Sequence, residues 1–408
     1  MAAVPDSAVS ESAGSWERAA AVLRPAWAEI DLDALLGNLT RLRRHLGGPR
    51  VLAVVKADAY GHGAPAVSRA LEAAGVDWLG AALLEEGAEI RRAGVAAPIL
   101  VLGVASPEQL PLYRRYDLTP TVSGLEQLRA WREFSSGGGW VQPIHLKVDT
   151  GMRRLGIGLD EVAEALALIR ATPEIELAGV LSHFADADLL DSPRSALQED
   201  RFAGVLAALT ASERERAVVH FANSAGSLHR PGSRFDIVRL GLALYGHDPA
   251  GDSPVALTPV MAVKSRVVMV REVPVGGKVG YGGRWSAPES RRGASRIGIV
   301  PVGYADGYTW RLWPAAEALV RGRRCGLAGA PSMDMSFLDL TEVGGEVGDE
   351  VVLLGRQGSE SITVTELAQH AETLPYELLC QLGLRLARRY VRGGELVEVV
   401  SRFEGGWG

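Results

Sequence analysis

Residues 51–63 read VLAVVKADAYGHG. Val51, Leu52, Ala53, Val54 and Val55 form an unbroken apolar run, which suits a strand buried on both faces of a parallel sheet. The run ends on Lys56. Gly61 and Gly63 mark a turn, and Ala66, Val67, Ala70, Leu71 and Ala74 follow at helical spacing, with Pro65 at a first-turn position. A lysine thus stands at the C-terminal end of a buried strand, just ahead of a helix, where α/β folds bind their ligands. A desolvated lysine there can lose its proton and attack an aldehyde to form a Schiff base. The other reading is a side chain that snorkels to solvent where its strand ends.

Outward from this stretch, strand-like runs alternate with helical patterns. Trp27–Leu32 comes first, with Asp33 as a capping candidate for the helix carrying Leu35, Leu36, Leu39 and Leu42. Val51–Lys56, Trp78–Leu83, Ile99–Gly103, Leu118–Val122, Ile144–Asp149, Leu177–Phe184, Val218–Ala222 and Ile237–Leu242 follow. About eight β/α units in about 200 residues predict a closed (β/α)8 barrel of the triosephosphate-isomerase type over residues 33–250. An open doubly wound sheet would need fewer strands. From about Gly251 the pattern changes to valine-rich strands and Gly/Pro turns, including Ile297–Val302, Leu319–Arg321, Val351–Leu354 and Leu396–Val400. Residues 251–401 therefore read as a mainly β domain, with helices at Thr365–Ala371 and Glu377–Leu386. Residues 1–25 read as a flexible tail with a short helix from Trp16 to Leu23, and 402–408 as a second tail.

The 408 residues suffice for two or three cores, and 47% hydrophobic with 23% charged residues is ordinary globular composition. A net charge of −6 and the lack of long Lys/Arg runs argue against a nucleic-acid footprint. No segment approaches the ~20 apolar residues of a membrane span, and the N-terminus lacks the basic start and apolar stretch of a secretory signal. Two cysteines, Cys325 and Cys380, read as reduced thiols in a cytoplasmic setting.

Four further segments carry chemistry. HLKVDTGMRRLG (145–156) crowds Lys147, Asp149 and Arg154 near a strand end; a planar, always charged Arg154 suits bidentate capture of a carboxylate. LSHFADAD (181–188) places His183 at another strand end, beside Asp186 and Asp188. It has no HxxxH or cysteine partner to make a metal site. HFANSAG (220–226) follows a strand and opens a short helix, so Asn223 and above all Ser224 are candidates for a phosphate. FDIVRLGLALYG (235–246) contributes Arg239, Gly241 and the backbone of Leu242. In the β region stand Tyr281 in KVGYGGRWSAP, the run VPVGYADGY, Met333 and Asp334 in SMD, and Tyr376 in LPYE. Taken singly, each of these tyrosines reads as packing.

AVVKADAYGHG, K-x-D-T-G-M-x-R-L-G and the order of the tyrosines resemble the alanine racemases, a family that uses pyridoxal 5'-phosphate. The resemblance runs from about Ala26 to Val399. It implies that Lys56 carries the cofactor as a Schiff base, and that Tyr60, Ser224, Gly241, Leu242 and Tyr376 contact its phosphate, with Asn223 alongside. His183 would stack on the ring and Arg239 face its nitrogen. Because an arginine does not give up its proton, that nitrogen would stay unprotonated. The ring would be a weaker electron sink, disfavouring transamination relative to prompt reprotonation. Arg154 would hold the substrate carboxylate, braced by a carbamylated Lys147. Lys56 and Tyr281 would be the two bases that interconvert L-alanine and D-alanine, Tyr281 reaching the site of a partner subunit in a homodimer together with Met333 and Asp334. Residues 26–32 would pair with the β domain, and D-alanine would supply peptidoglycan. Ser332, Met335 and Trp310 depart from the family pattern, where Cys, Gln and Arg are common. A broader amino-acid racemase, a decarboxylase and an inhibitor-binding relative remain as alternatives.

Overall fold

Eight parallel strands close into a barrel in the computed structural model, which describes residues 23–136 and 140–402. Most of the N-terminal segment and the last six residues lie outside that range, and with them most of the expected Trp16–Leu23 helix. The chain divides into two compact units. One comprises Ala34–Ala59 and Gly63–Thr258; the other takes the chain up to Asp33, Tyr60–His62, and everything from Pro259 on.

After β1 (Ala26–Asp31), the barrel strands are β2 (Arg50–Val54), β3 (Trp78–Ala81), β4 (Ile99–Val101), β5 (Leu118–Val122), β6 (Gln142–Lys147), β7 (Ile175–Leu181), β8 (Val218–His220) and β9 (Ile237–Leu240). Each of β2 to β7 pairs in parallel with its successor, and β9 returns to pair with β2. Closure between β8 and β9 comes from two backbone bonds, Asp236 N–H to Val219 O and Arg239 N–H to Ala222 O, both at 3.0 Å. Val51, Leu52, Ala53, Leu79, Ile99, Leu146, Val180, Val219, Val238 and Leu240 are all fully buried. That explains why Val51–Val55 reads as a continuous apolar run rather than an alternating one. Each large side chain so buried contributes about 1.5–3 kcal/mol.

The strands expected by range start and stop within three residues of the expectation, and one difference bears on the site. Strand β2 stops at Val54, so Lys56 opens the next element instead of ending the strand. That element, Lys56–Gly61, is a left-handed helical turn: φ is +51° to +55° at Ala57, Asp58, Ala59 and Tyr60, and +79° at Gly61. Left-handed geometry costs L-residues roughly 1–2 kcal/mol each. Hydrogen bonds fix it from both sides. Ala57 N–H donates to Glu86 Oε1 at 2.7 Å, Ala59 N–H to Val55 O at 2.9 Å, and Gly63 N–H to Asp58 O at 2.9 Å. Asp58 Oδ1 accepts from Ala64 N–H at 2.7 Å, tying the turn to the start of the helix Ala64–Ala73, where Pro65 sits in the first turn.

The second unit is mainly β. Its strands are β10 (Met261–Arg266), β11 (Met269–Val273), β12 (Lys278–Val279), β13 (Trp285–Ser286), β14 (Ser295–Val300), β15 (Glu317–Val320), β16 (Arg323–Gly326), β17 (Ser336–Asp339), β18 (Glu350–Gln357), β19 (Glu360–Ile362), β20 (Ala387–Arg392) and β21 (Glu395–Val400). The large sheet runs β16-β15-β18-β10-β1-β20-β21, with β19 on β18. The N-terminal β1 lies in its middle, antiparallel to β10 and parallel to β20. Asp33 falls inside the first turn of the helix Leu32–Leu46 instead of preceding it. The helix expected over 377–386 runs instead from Pro375 to Gln381, because proline starts a helix well and Leu382 leaves it in extended backbone.

Candidate active site

Within the barrel unit the expected residues gather at the C-terminal strand ends. Lys56 follows β2, Lys147 closes β6, His183 lies two residues past β7, Asn223 and Ser224 follow β8, and Arg239, Gly241 and Leu242 lie on or just after β9. Arg239 pairs beside Leu52 in the adjacent strand β2, four residues before Lys56. Arg154 is exposed on the loop after β6.

Arg239 is the centre of the polar floor. It is 3% exposed, and its guanidinium finds only neutral acceptors among the described residues. It donates to the carbonyls of Ser182 and Phe221 at 2.8 Å, to His220 O at 3.1 Å, to His220 Nδ1 at 3.2 Å and to His183 Nδ1 at 3.0 Å. Burial pushes its pKa down to about 9, which leaves it charged at neutral pH. Because both His220 and His183 accept at Nδ1, each carries its proton on Nε2. Their pKa values lie well below the ordinary histidine range, through burial first; His145 and Arg239 then add for His220, and Arg239 and Lys147 for His183.

Lys147 is 7% exposed and its pKa falls to about 8, through burial and then the charges of Arg239 and Arg154, with Lys56 a lesser contributor. A neutral fraction is therefore present near physiological pH. Ser224 Oγ accepts from Gly241 N–H at 2.9 Å and Ala243 N–H at 3.3 Å, which leaves its own proton to donate. Asn223 caps the helix Ser224–His229 by accepting from Gly226 N–H at 2.9 Å. Asp186 is engaged by Ser192 and Arg194, and no group of three or more potential metal ligands occurs among the described residues.

The β unit holds its own cluster. Tyr281, 88% exposed, lines an open hollow of about 350 Å³ with Arg284, Tyr304, Trp310 and Ser332. Tyr304 N–H to Ser332 O and Ala305 N–H to Met333 O, both at 3.0 Å, stitch the VGYADGY loop to the loop bearing Met333 and Asp334. Asp334 accepts from Arg385 at 2.7 Å. Arg385 also lies 3.3 Å from the fully buried Asp306, which takes a two-pronged bond from Arg24 at 2.7 and 3.0 Å. In the same unit Tyr60 and Tyr376 stand with ring centres 6.1 Å apart, and burial followed by Tyr376 raises the pKa of the Tyr60 hydroxyl.

The sequence by itself points to no role for His145, His220, Asp306, Arg385 or Arg24. His145 opens HLKVDTGMRRLG and His220 opens HFANSAG, but only the fold brings them to Arg239. Arg24 sat in the segment read as a tail.

These residues fit pyridoxal 5'-phosphate by their chemistry. An amine, a buried guanidinium with only neutral partners and a hydroxyl with its proton to give match an aldehyde, a ring nitrogen and a phosphate.

Two known families match the chain: the N-terminal domain of alanine racemase over residues 30–249 and its C-terminal domain over 260–390. An alanine racemase of Symbiobacterium thermophilum is 43% identical over 377 residues, covering 91% of this chain and 98% of its own. The solved alanine racemase of Clostridium difficile aligns with a TM-score of 0.86 at 33% identity, over 93% of this chain and 99% of that one. A solved histidine racemase of Leuconostoc mesenteroides aligns with a TM-score of 0.82 at 30% identity, over 90% and 98%.

Proposed function

The chain belongs to the alanine racemase family, and on that premise we propose that it interconverts L-alanine and D-alanine with pyridoxal 5'-phosphate held on Lys56. When bound, the cofactor supplies an electron-withdrawing ring that acidifies the Cα proton of an amino acid joined to it. Lys56 Nζ moves that proton on the D-alanine face, and Tyr281 Oη of the partner subunit moves it on the L-alanine face. Two bases fixed on opposite sides avoid the swing that one base would need. Arg154 takes the substrate carboxylate in its fork. Met333 and Asp334 border the substrate from the partner's side, with Asp334 steadied by Arg385.

The observation that carries the reading is Arg239, a buried cation bonded only to neutral groups, in the strand beside the one leading to Lys56. A guanidinium so placed would face the ring nitrogen of the cofactor without handing it a proton, which would favour racemisation over transamination. His183 would stack on the ring. Ser224, Gly241, Leu242, Tyr60 and Tyr376 serve the phosphate, with Asn223 capping the helix that presents Ser224. A neutral Lys147 amine can take up carbon dioxide, and the resulting anion would brace Arg154 among the surrounding cations. No helix among the described residues is long and apolar enough to cross a membrane. We place the enzyme in the cytoplasm as a homodimer, making D-alanine for peptidoglycan.

Purified protein supplied with pyridoxal 5'-phosphate should convert either pure enantiomer to the racemate, and Lys56→Ala should abolish both turnover and the visible absorbance of bound cofactor. Absence of turnover by the coloured wild type would remove the reading. The resemblance to a histidine racemase supports a second reading, a broader racemase. Loss of optical rotation across a panel of L-amino acids separates the two.

A further inference from the structure

Arg388 lies on β20 with its side chain 4% exposed. Its guanidinium donates to main-chain carbonyls: Nε and one terminal nitrogen to Gly61 O at 3.2 and 3.0 Å, and the terminal nitrogens also to Leu382 O at 2.7 Å, Gly383 O at 2.6 Å and Leu386 O at 2.9 Å. Gly61 directly follows Tyr60 in the left-handed turn, and Leu382 directly follows the helix Pro375–Gln381 that bears Tyr376. One side chain therefore ties together the two segments that carry the paired tyrosine rings.

Two neighbouring contacts act in the same direction. Tyr390, on the same face of β20 two residues on, donates to His62 O at 3.1 Å, and His62 Nδ1 lies 3.0 Å from Tyr60 O. A Cβ on Gly61 would fall 2.2 Å from Leu379 O, so the turn packs backbone to backbone on the tyrosine-bearing helix. Burying a charge costs several kcal/mol, and an apolar residue of similar volume would hold a sheet together with less penalty. What an apolar residue cannot do is fix carbonyls of two chain segments at set distances.

We infer that Arg388, assisted by Tyr390, is a positioning residue for the cofactor phosphate, holding the hydroxyls of Tyr60 and Tyr376 at the spacing one phosphate group requires. This rests on the reading that both tyrosines serve the phosphate. It predicts a loss specific to the phosphate end of the ligand.

The test titrates the full chain, stripped of cofactor, with pyridoxal 5'-phosphate and with pyridoxal, which lacks the phosphate, following visible absorbance. Arg388→Lys keeps the charge and at most three of the bonds, so affinity for pyridoxal 5'-phosphate should fall by roughly tenfold or more, with pyridoxal nearly unchanged. Tyr390→Phe, which loses the bond to His62 O, should shift the same ratio by about threefold. Should Arg388→Lys fail to fold, Tyr390→Phe decides. Equal weakening of both ligands, or wild-type affinity for both, overturns the inference. Tyr60→Phe is the control on the underlying reading. If it leaves affinity for pyridoxal 5'-phosphate unchanged, the phosphate assignment falls and takes this inference with it. If it weakens that affinity while the Arg388 and Tyr390 variants do not, only this inference falls.

Discussion

His145 Nδ1 lies 2.9 Å from His220 Nε2, although their strands β6 and β8 are separated by β7. The residue of β7 that pairs with His145 is Gly179, and a Cβ there would sit 2.5 Å from His145 Nδ1. The histidine ring occupies the space a side chain would take and so reaches across the strand. Tautomers follow in sequence from Arg239: it donates to His220 Nδ1, so His220 carries its proton on Nε2 and gives it to His145 Nδ1. His145 stays neutral, its pKa lowered to about 3 by burial and then by Arg239.

Gly179→Ala should therefore evict the His145 ring and leave His220 N–H buried without its acceptor. The expected loss of stability is about 1–3 kcal/mol for the unsatisfied donor, with overpacking adding a similar amount. Denaturant unfolding of the full chain measures it. A variant as stable as the wild type, with the histidine nitrogen shifts unmoved, would show that the gap left by Gly179 is not what lets the two rings meet.

The barrel was legible because most of its strand residues are buried, and a strand buried on both faces leaves an unbroken apolar run such as Val51–Val55. Lys56, His183 and Arg239 were legible through the motifs around them. The left-handed turn was not. Ala57, Asp58, Ala59 and Tyr60 carry no glycine to announce positive φ, and the reversal is imposed by Glu86 and by the Asp58 bonds to Gly63 and Ala64. The links Arg24–Asp306 and Arg388–Gly61 were equally hidden, since they join positions 282 and 327 residues apart with no local pattern. Arginines engaged by such distant partners look, in sequence, like surface arginines.

Ala57 is exposed with φ +51°, and its N–H bond to Glu86 needs only backbone. Glycine at this position removes the left-handed penalty of ~1–2 kcal/mol, while loosening the unfolded chain by about 0.5–1 kcal/mol. Ala57→Gly should thus be neutral to slightly stabilising, against the usual cost of glycine within a helix, and Ala57→Val should destabilise by more than about 1 kcal/mol. Thermal midpoints decide between them; a glycine variant clearly less stable than wild type would mean the turn is not strained.

Lys147 gives a pH signature whose sign is fixed. Its folded pKa of about 8 lies below the ordinary 10.5, so between these values the unfolded chain binds the extra proton and stability rises with pH. The relief amounts to something on the order of 3 kcal/mol, complete near pH 10.5 and absent below pH 8. Other groups titrate in that range, so the measurement is the difference between wild type and Lys147→Met. The variant should be the more stable protein below pH 8 and lose that advantage as pH rises. A difference that stays flat across the window removes the depressed pKa. Bicarbonate should narrow the gap at pH 8 if the neutral amine is carbamylated.

The sharpest test of a shared site uses two dead enzymes. Lys56→Ala lacks the amine that anchors the cofactor and Tyr281→Phe lacks the opposite base, so each homodimer should fail at racemisation. Tyr281→Phe should still bind cofactor and still exchange the Cα proton of D-alanine with solvent deuterium, because Lys56 Nζ acts on that face. Exchange from L-alanine should be lost. If Tyr281 acts in the partner's site, a mixed dimer has one site carrying both defects and one carrying neither. Dissociating and remixing equal amounts gives about half mixed dimers, each with one intact site of two, hence about a quarter of wild-type turnover. Were Tyr281 to act within its own subunit, every site in the mixed dimer would carry one defect and no activity would return. Tyr281, 88% exposed on the rim of an open hollow, predicts the first outcome.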